Sequence, residues 1–282
     1  MNKKHLVIIP FYNEEFYLEK CLNSIVLQTV RPTKLILVDD NSSDSSSGIA
    51  KSFTEKFDWI EYCRHASEKR KEQGVKVIKA FNFGLEQVDY SDFGFVSKLD
   101  ADLEFPMDYF EKVLETFVNS EIGFAGGRIK ELKNGFWETI PQASYHIRGA
   151  LKTYRVSCFK EIGGFMPVLG WDGLDEMKAF YYKWTSSIVD SEVKHFRVAA
   201  SDYNPVRLSY KIGKASFING ANLRMTILRT IYRINSKPYV IVAFAFFWGY
   251  IKAFLNGEKR IVDKNLAKFI NMFHAKRIFT KK

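Results

Sequence analysis

Cysteine is scarce in this chain of 282 residues. Cys21, Cys63 and Cys158 lie far apart, their number is odd, and no C-x-x-C pair occurs. A disulfide scaffold and a cysteine zinc site are therefore disfavoured, and a reduced, cytosolic setting is the simplest expectation. Seven prolines and 17 glycines are too few for a collagen-like or low-complexity chain. No G-x-G-x-x-G follows the first strand pattern and no G-x-x-x-x-G-K-[ST] occurs, which disfavours dinucleotide oxidoreductases and P-loop ATPases. The opening Met1-Asn2-Lys3-Lys4-His5 runs into an apolar stretch too short for a signal-peptide core. Internal repeats are absent as well.

Acids are nearly missing from the C-terminal part. From Asn204 to Lys282 there are 16 Lys/Arg against Glu258 and Asp263 alone, a net +14. The whole chain has 42 basic and 32 acidic residues, so the first 203 hold 26 and 30, a net −4. A mildly acidic body over residues 1–205 is thus followed by a basic region over 206–282. The tail calls for an anionic partner, either nucleic acid or a membrane surface. Aromatics are plentiful, with 25 Phe, 14 Tyr and 5 Trp, and they exclude a disordered chain.

Strand and helix signals alternate through the first 125 residues. Short apolar strands are expected at His5–Ile9, Lys34–Val38, Trp59–Cys63 and Phe93–Ser97. Helices are expected after Asn13 as a cap, from Ala50 to Phe57, from Val75 to Gln87, and from Pro106 to Val118. A polar loop spans Arg64 to Gly74. This alternation predicts an α/β fold with a mostly parallel sheet flanked by helices. Further on, Gly123–Gly127 reads as a strand, Thr153–Cys158 as extended, Gly163-Gly164 as a turn, and Gly170–Trp184 as a helix.

Ligands of such sheets bind at the carboxyl ends of strands. Those ends carry Pro10-Phe-Tyr-Asn-Glu14, Asp39-Asp40 and Asp100-Ala-Asp102. Two carboxylates one residue apart suit a hard divalent cation shared with phosphates. A solvated acidic turn is the plain alternative. Tyr12 has an alternative in ordinary packing, and Glu14 in stabilising a helix N-terminus.

Pro10-Phe-Tyr-Asn-Glu14, Val38-Asp-Asp-Asn-Ser-Ser-Asp44, Lys98-Leu-Asp-Ala-Asp102 and Glu161-Ile-Gly-Gly-Phe165 together resemble family 2 glycosyltransferases with the GT-A fold. The resemblance covers roughly residues 5–197. It implies a nucleotide-sugar-dependent, inverting glycosyl transfer assisted by Mg²⁺ or Mn²⁺. It implies that Pro10, Tyr12, Glu14, Asp39, Asp40 and Asp100 line the nucleotide pocket. Lys76, in a segment resembling one that closes over the nucleotide, is implied as a diphosphate contact. Asp102 is implied as the direct metal ligand, with Asp100 beside it. His195 stands where some relatives complete the metal site; a surface histidine is the plain alternative. The family's base is an Asp of an acidic doublet at a helix start. Here Gly170-Trp-Asp-Gly-Leu-Asp-Glu176 fills the slot without that doublet. Asp172 is the first choice, with Asp175 and Glu176 one turn on as support or replacement. Stabilisation of the helix N-terminus remains the alternative for all three.

Tyr239 to Leu255 is apolar on every side apart from Lys252. As a helix these 17 residues would reach about 25 Å, at the lower limit for crossing a bilayer. Basic residues on both sides favour a helix lying on the cytoplasmic face of an anionic membrane. Burial within the fold or in a homodimer is the soluble alternative. The leading expectation is a membrane-associated glycosyltransferase of surface polysaccharide synthesis, using a nucleoside-diphosphate sugar and a glycan or lipid-linked acceptor. A sugar-nucleotide nucleotidyltransferase would need a G-x-G-x-R signature after strand one, which is missing. A nucleic-acid-binding protein is disfavoured because the tail's aromatics form one apolar run.

Overall fold

The computed structural model describes residues 2–67, 74–133, 135–197, 204–235 and 237–280. Of the loop expected over Arg64–Gly74, residues 68–73 lie outside the described residues. The chain divides into two compact units, one formed by 1–167 and 171–199, the other by 168–170 and 200–282.

In the first unit, short apolar-rich runs form central strands buried on both faces, as parallel sheets require. β1 (His5–Phe11), α1 (Leu18–Val26), β2 (Lys34–Asp39), α2 (Ser46–Lys56), β3 (Ile60–Arg64), α3 (Val75–Leu85) and β4 (Phe95–Leu99) follow the expected alternation. Then come β5 (Leu103–Glu104), α4 (Tyr109–Thr116), β6 (Ile122–Lys133), β7 (Phe136–Thr139), β8 (Leu151–Arg155), α5 (Val156–Glu161), α6 (Trp171–Tyr181) and β9 (Thr185–His195). The sheet order is β3-β2-β1-β4-β8-β6-β9-β5, with β7 paired to β6. β3, β2, β1 and β4 are mutually parallel, and β8 runs antiparallel to both β4 and β6. β6 and β9 are parallel, and β5 closes the edge antiparallel to β9.

Several local expectations are corrected. Asn13 does not cap α1. It adopts a left-handed φ of 53°, and its side-chain oxygen accepts from Ser43 N across the neighbouring loop, so the helix begins only at Leu18. Pro106 precedes its helix rather than opening it. Its carbonyl accepts from Tyr109 N, and the buried Gln28 Oε1 accepts from Phe110 N. Extended backbone ends at Arg155, and Cys158 lies in the short helix α5. The strand expected at Gly123–Gly127 runs for 12 residues. Trp184 lies beyond the end of α6.

The second unit holds α7 (Pro205–Ile218), α8 (Leu223–Arg233), α9 (Tyr239–Leu255) and α10 (Lys264–Thr280). Asn204 caps α7, accepting from Val206 N and Arg207 N, with Pro205 in the first turn. No helix among the described residues is long and apolar enough to cross a membrane, which removes the spanning alternative for α9. Instead α9 buries Val242, Phe246, Gly249, Tyr250 and Ala253. Two glycines make its crossing with α7 possible: a Cβ at Gly213 would overlap the Phe246 carbonyl, and one at Gly249 the Tyr210 carbonyl.

Glycine-to-alanine changes therefore have opposite signs at two helical sites. Gly48→Ala, in α2 with open space around the new Cβ, should stabilise by about 0.5–1 kcal/mol through helix propensity. Gly213→Ala should destabilise despite the same propensity gain, because overpacking against rigid backbone costs about 1–3 kcal/mol or more. Thermal unfolding of both variants checks the signs.

Candidate active site

The loops after β1 and β2 are sewn together at the carboxyl edge of the sheet. Asn13 N donates to Ser42 Oγ (3.0 Å), Glu14 N to Ser46 Oγ (2.7 Å) and Glu15 N to Asp44 Oδ2 (3.2 Å). Asp39 and Asp40, adjacent in sequence, have different work. Asp39 is buried and accepts from Ser42 N (2.7 Å), the Tyr62 hydroxyl (2.8 Å) and the Ser47 hydroxyl. Burial opposes its charge, but these donors outweigh burial and hold its carboxyl below the usual value. Asp40 meets His65 Nδ1 at 2.9 Å and Lys76 Nζ at 3.7 Å. That same ammonium lies 5.7 Å from the Tyr12 ring centroid. Tyr12, Asp40 and Lys76 thus form one group. Pro10 is part of β1, in register with Val38.

A second group forms where β4, β5 and β9 end. Asp100 follows β4, Asp102 precedes β5, and His195 closes β9, with Leu103 in register opposite His195. Ligand atoms of Asp100, Asp102 and His195 all lie within 4.8 Å of one another. His195 Nε2 is 3.3 Å from Asp102 Oδ2, and its Nδ1 is 3.8 Å from Glu131 Oε1, too far for a hydrogen bond. That Nδ1 is buried and has no hydrogen-bond partner among the described residues. Burial disfavours the charged imidazole, yet Asp102, Asp100 and Glu131 together keep its pKa above the ordinary histidine value. Glu14 feels the same acidity. Burial, reinforced by Asp102 and Asp100, pushes its carboxyl up to about 8, against an ion pair to Arg197 at 2.5 Å. Crowded carboxylates with one imidazole are a hard donor set, and a divalent cation fits it.

The candidate base faces a third arrangement. Asp172 lies in the first turn of α6 and is half-buried. Asp175 and Glu176 are buried behind it, and Lys152 explains why. The fully buried Lys152 ammonium donates to Asp175 Oδ1 and Oδ2 (2.9 and 2.8 Å) and to the Asp172 carbonyl (2.5 Å), and lies 3.1 Å from Glu176 Oε1. Tyr154 donates to Asp175, while Ile147 N donates to Glu176 and His146 Nδ1 lies 2.9 Å from it. Burial weakens the Lys152 charge, but the carboxylates of Asp175, Glu176 and Asp172 overcome that and raise its pKa. Lys98 stands directly opposite Lys152 in the β4–β8 register. It binds the Asp100 carboxylate and the Gly149 carbonyl. Trp171 lies under both ammonium groups, each 5.6 Å from its ring centroid. A Cβ at Gly149 would press on Asp172 Cβ and the Trp171 ring, so glycine is needed there.

The structure therefore brings Asp100, Asp102 and His195 together and leaves Asp172 partly open. It places Asp175 and Glu176 in a buried ion-pair network. Sequence reasoning missed Lys98, Lys152, Glu131 and Arg197. For both lysines a signal existed: a lone cation inside a short, otherwise buried strand demands a buried acid.

A sequence profile described as Glycosyl transferase family 2 matches residues 6–168. That is more than half of the chain, which belongs to this family. Glycosyltransferase GlyA of Streptococcus pneumoniae serotype 4 is 29% identical over 190 residues, covering 64% of this chain and 25% of that protein. Minor teichoic acid biosynthesis protein GgaB of Bacillus subtilis (strain 168) is 35% identical over 147 residues, 47% of this chain and 15% of GgaB. The chain thus spans a quarter or less of these two relatives' lengths. Mannosyltransferase PcManGT from Pyrobaculum calidifontis, solved with GDP-Man and Mn²⁺, superposes with a TM-score of 0.59 at 15% identity, covering 100% of this chain and 82% of PcManGT. The α/β architecture is the GT-A fold.

Removing the central ammonium should be costly. Lys152→Met strands the buried Asp175 and Glu176 carboxylates and should destabilise by about 3–5 kcal/mol. Adding Asp175→Leu should restore much of that loss. Denaturant unfolding of the two variants gives the comparison.

Proposed function

We propose that this chain carries the catalytic unit of a metal-dependent, inverting glycosyltransferase, moving a sugar from a nucleoside diphosphate to a hydroxyl of a glycan or lipid-linked acceptor. The observation that carries this reading is the Asp100–Asp102–His195 cluster together with Asp172, joined through Lys98 and Gly149. Mn²⁺ or Mg²⁺ held by Asp100, Asp102 and His195 would supply Lewis-acid neutralisation of the diphosphate leaving group. Tyr12 and Asp40 hold the nucleoside, and Lys76 places positive charge beside the phosphates. Asp172 accepts the acceptor hydroxyl proton as the oxygen attacks the anomeric carbon. A single displacement inverts that carbon. Lys152 holds Asp175 and Glu176 turned inward, so Asp172 is the carboxylate left to do this. The teichoic acid relative supports a surface-polymer acceptor.

We place the protein at the cytoplasmic face of the membrane as a peripheral protein. Support comes from α9, where Tyr239, Val240, Ile241, Phe244, Trp248, Phe254 and Leu255 are exposed within a strongly basic region.

Two substitutions test the catalytic assignments. Asp102→Asn should fold normally yet lose Mn²⁺-dependent stabilisation by UDP, GDP, dTDP and CDP in a thermal-shift panel; unchanged binding would remove Asp102 from the metal site. Asp172→Asn should still bind donor, while transfer falls by roughly 10²-fold or more. Turnover near wild type would reassign the base.

A further inference from the structure

Helices α7 and α9 enclose an open groove of about 440 Å³ within the second unit, between Val206, Tyr210, Ile241, Phe244, Ala245 and Trp248. Arg207 and Lys211, one turn apart on α7, form part of the same wall. An apolar trough with two cations on its wall has two chemical demands, and the described residues of the second unit answer neither. Phe244 is 65% exposed, Ile241 60% and Trp248 47%, so the trough's apolar side faces water. The acids among the described residues of this unit are already engaged. Glu258 pairs with Lys214 at 2.5 Å, and Asp263 accepts from Asn265 N and Leu266 N at the start of α10. Among the described residues no carboxylate pairs with Arg207 or Lys211.

We propose that this groove takes one acyl chain of an anionic membrane phospholipid, with Arg207 and Lys211 holding its phosphate. The inference rests on the membrane-surface reading above and goes further: it names a discrete lipid site rather than a diffuse attraction. A neutral apolar partner would leave both cations desolvated and unpaired, and a simple anion would leave the aromatic wall wet. An amphiphile with a phosphate head satisfies both demands. Trp248, amphipathic and on the groove wall, suits the level of lipid headgroups.

The probe is decyl phosphate kept below its micelle concentration, added to the full chain and followed by tryptophan emission. It should saturate as a single site with a blue shift that disappears in Trp248→Phe. Inorganic phosphate and neutral decyl maltoside should bind at least about tenfold more weakly. Arg207→Glu combined with Lys211→Glu, both on exposed positions, should weaken decyl phosphate at least about tenfold, two charge-assisted contacts being lost. Ala245→Phe, which fills the trough, should do the same. The thermal shift with nucleoside diphosphate and Mn²⁺ should be unchanged in the charge variant. Decyl phosphate binding that is absent, matched by decyl maltoside, or indifferent to both groove variants would overturn the lipid site. Dimerisation of the chain that buries the groove and excludes the probe would overturn it too. Flotation with phosphatidylglycerol vesicles separates the two readings. A chain that floats but ignores the monomeric probe keeps the surface and loses the site. One that fails to float loses the surface reading as well.

Discussion

Two ammonium groups withdrawn from water fix where the acids of this molecule stand. Lys98 and Lys152 are 2% and 0% exposed, on neighbouring antiparallel strands and directly opposite. Like charges so placed repel, and burying each one alone costs several kcal/mol. Only carboxylates on both flanks make the pair tolerable. Asp100 meets Lys98 on one flank; Asp175 and Glu176 meet Lys152 on the other. Trp171 lies between the two as a cation–π platform. A register slip of one residue between β4 and β8 would put the two lysines on opposite faces and strand the acids on one flank. Strand pairing, the start of α6 and the position of Asp100 are therefore one constraint.

The same constraint sorts the acidic residues by task. Asp39, Asp175 and Glu176 have their oxygens engaged by donors inside the protein. Asp102 instead crowds against Asp100, Glu14 and His195. A structure that satisfies some carboxylates completely and leaves others mutually repelling has separated scaffold from chemistry.

The parallel core was legible because β1, β2 and β4 are apolar runs ending in polar turns, and local pattern decides such elements. The acidic cluster was legible because its carboxylates sit next to those ends. Beyond residue 122 several bounds were missed for physical reasons. β6 pairs with strands on both sides and with β7, so its 12 residues are set by partners, not by its own periodicity. Asn13 looked like a cap because its side chain is a good acceptor, but a donor 30 residues away took it. Asp175 and Glu176 could not be told from Asp172 by spacing, since the residue that separates them is Lys152, on another strand. α9 was found in full because a run of seventeen residues that is apolar apart from Lys252 leaves little choice, whereas its crossing with α7 depends on two glycines whose role only packing reveals.

The pairing of Leu103 with His195 has a bearing on how the protein comes into being. These residues are far apart in the chain yet adjacent at the sheet edge. Loop closure over such a span is slow compared with the local β1–α1–β2 pairing. During synthesis the loops after β1 and β2 are complete long before β9 has emerged. The acidic cluster gains its imidazole only when the last strand of the unit docks. A ligand that requires all three side chains therefore recognises the finished sheet and no earlier state, and by mass action it stabilises only chains that have completed it.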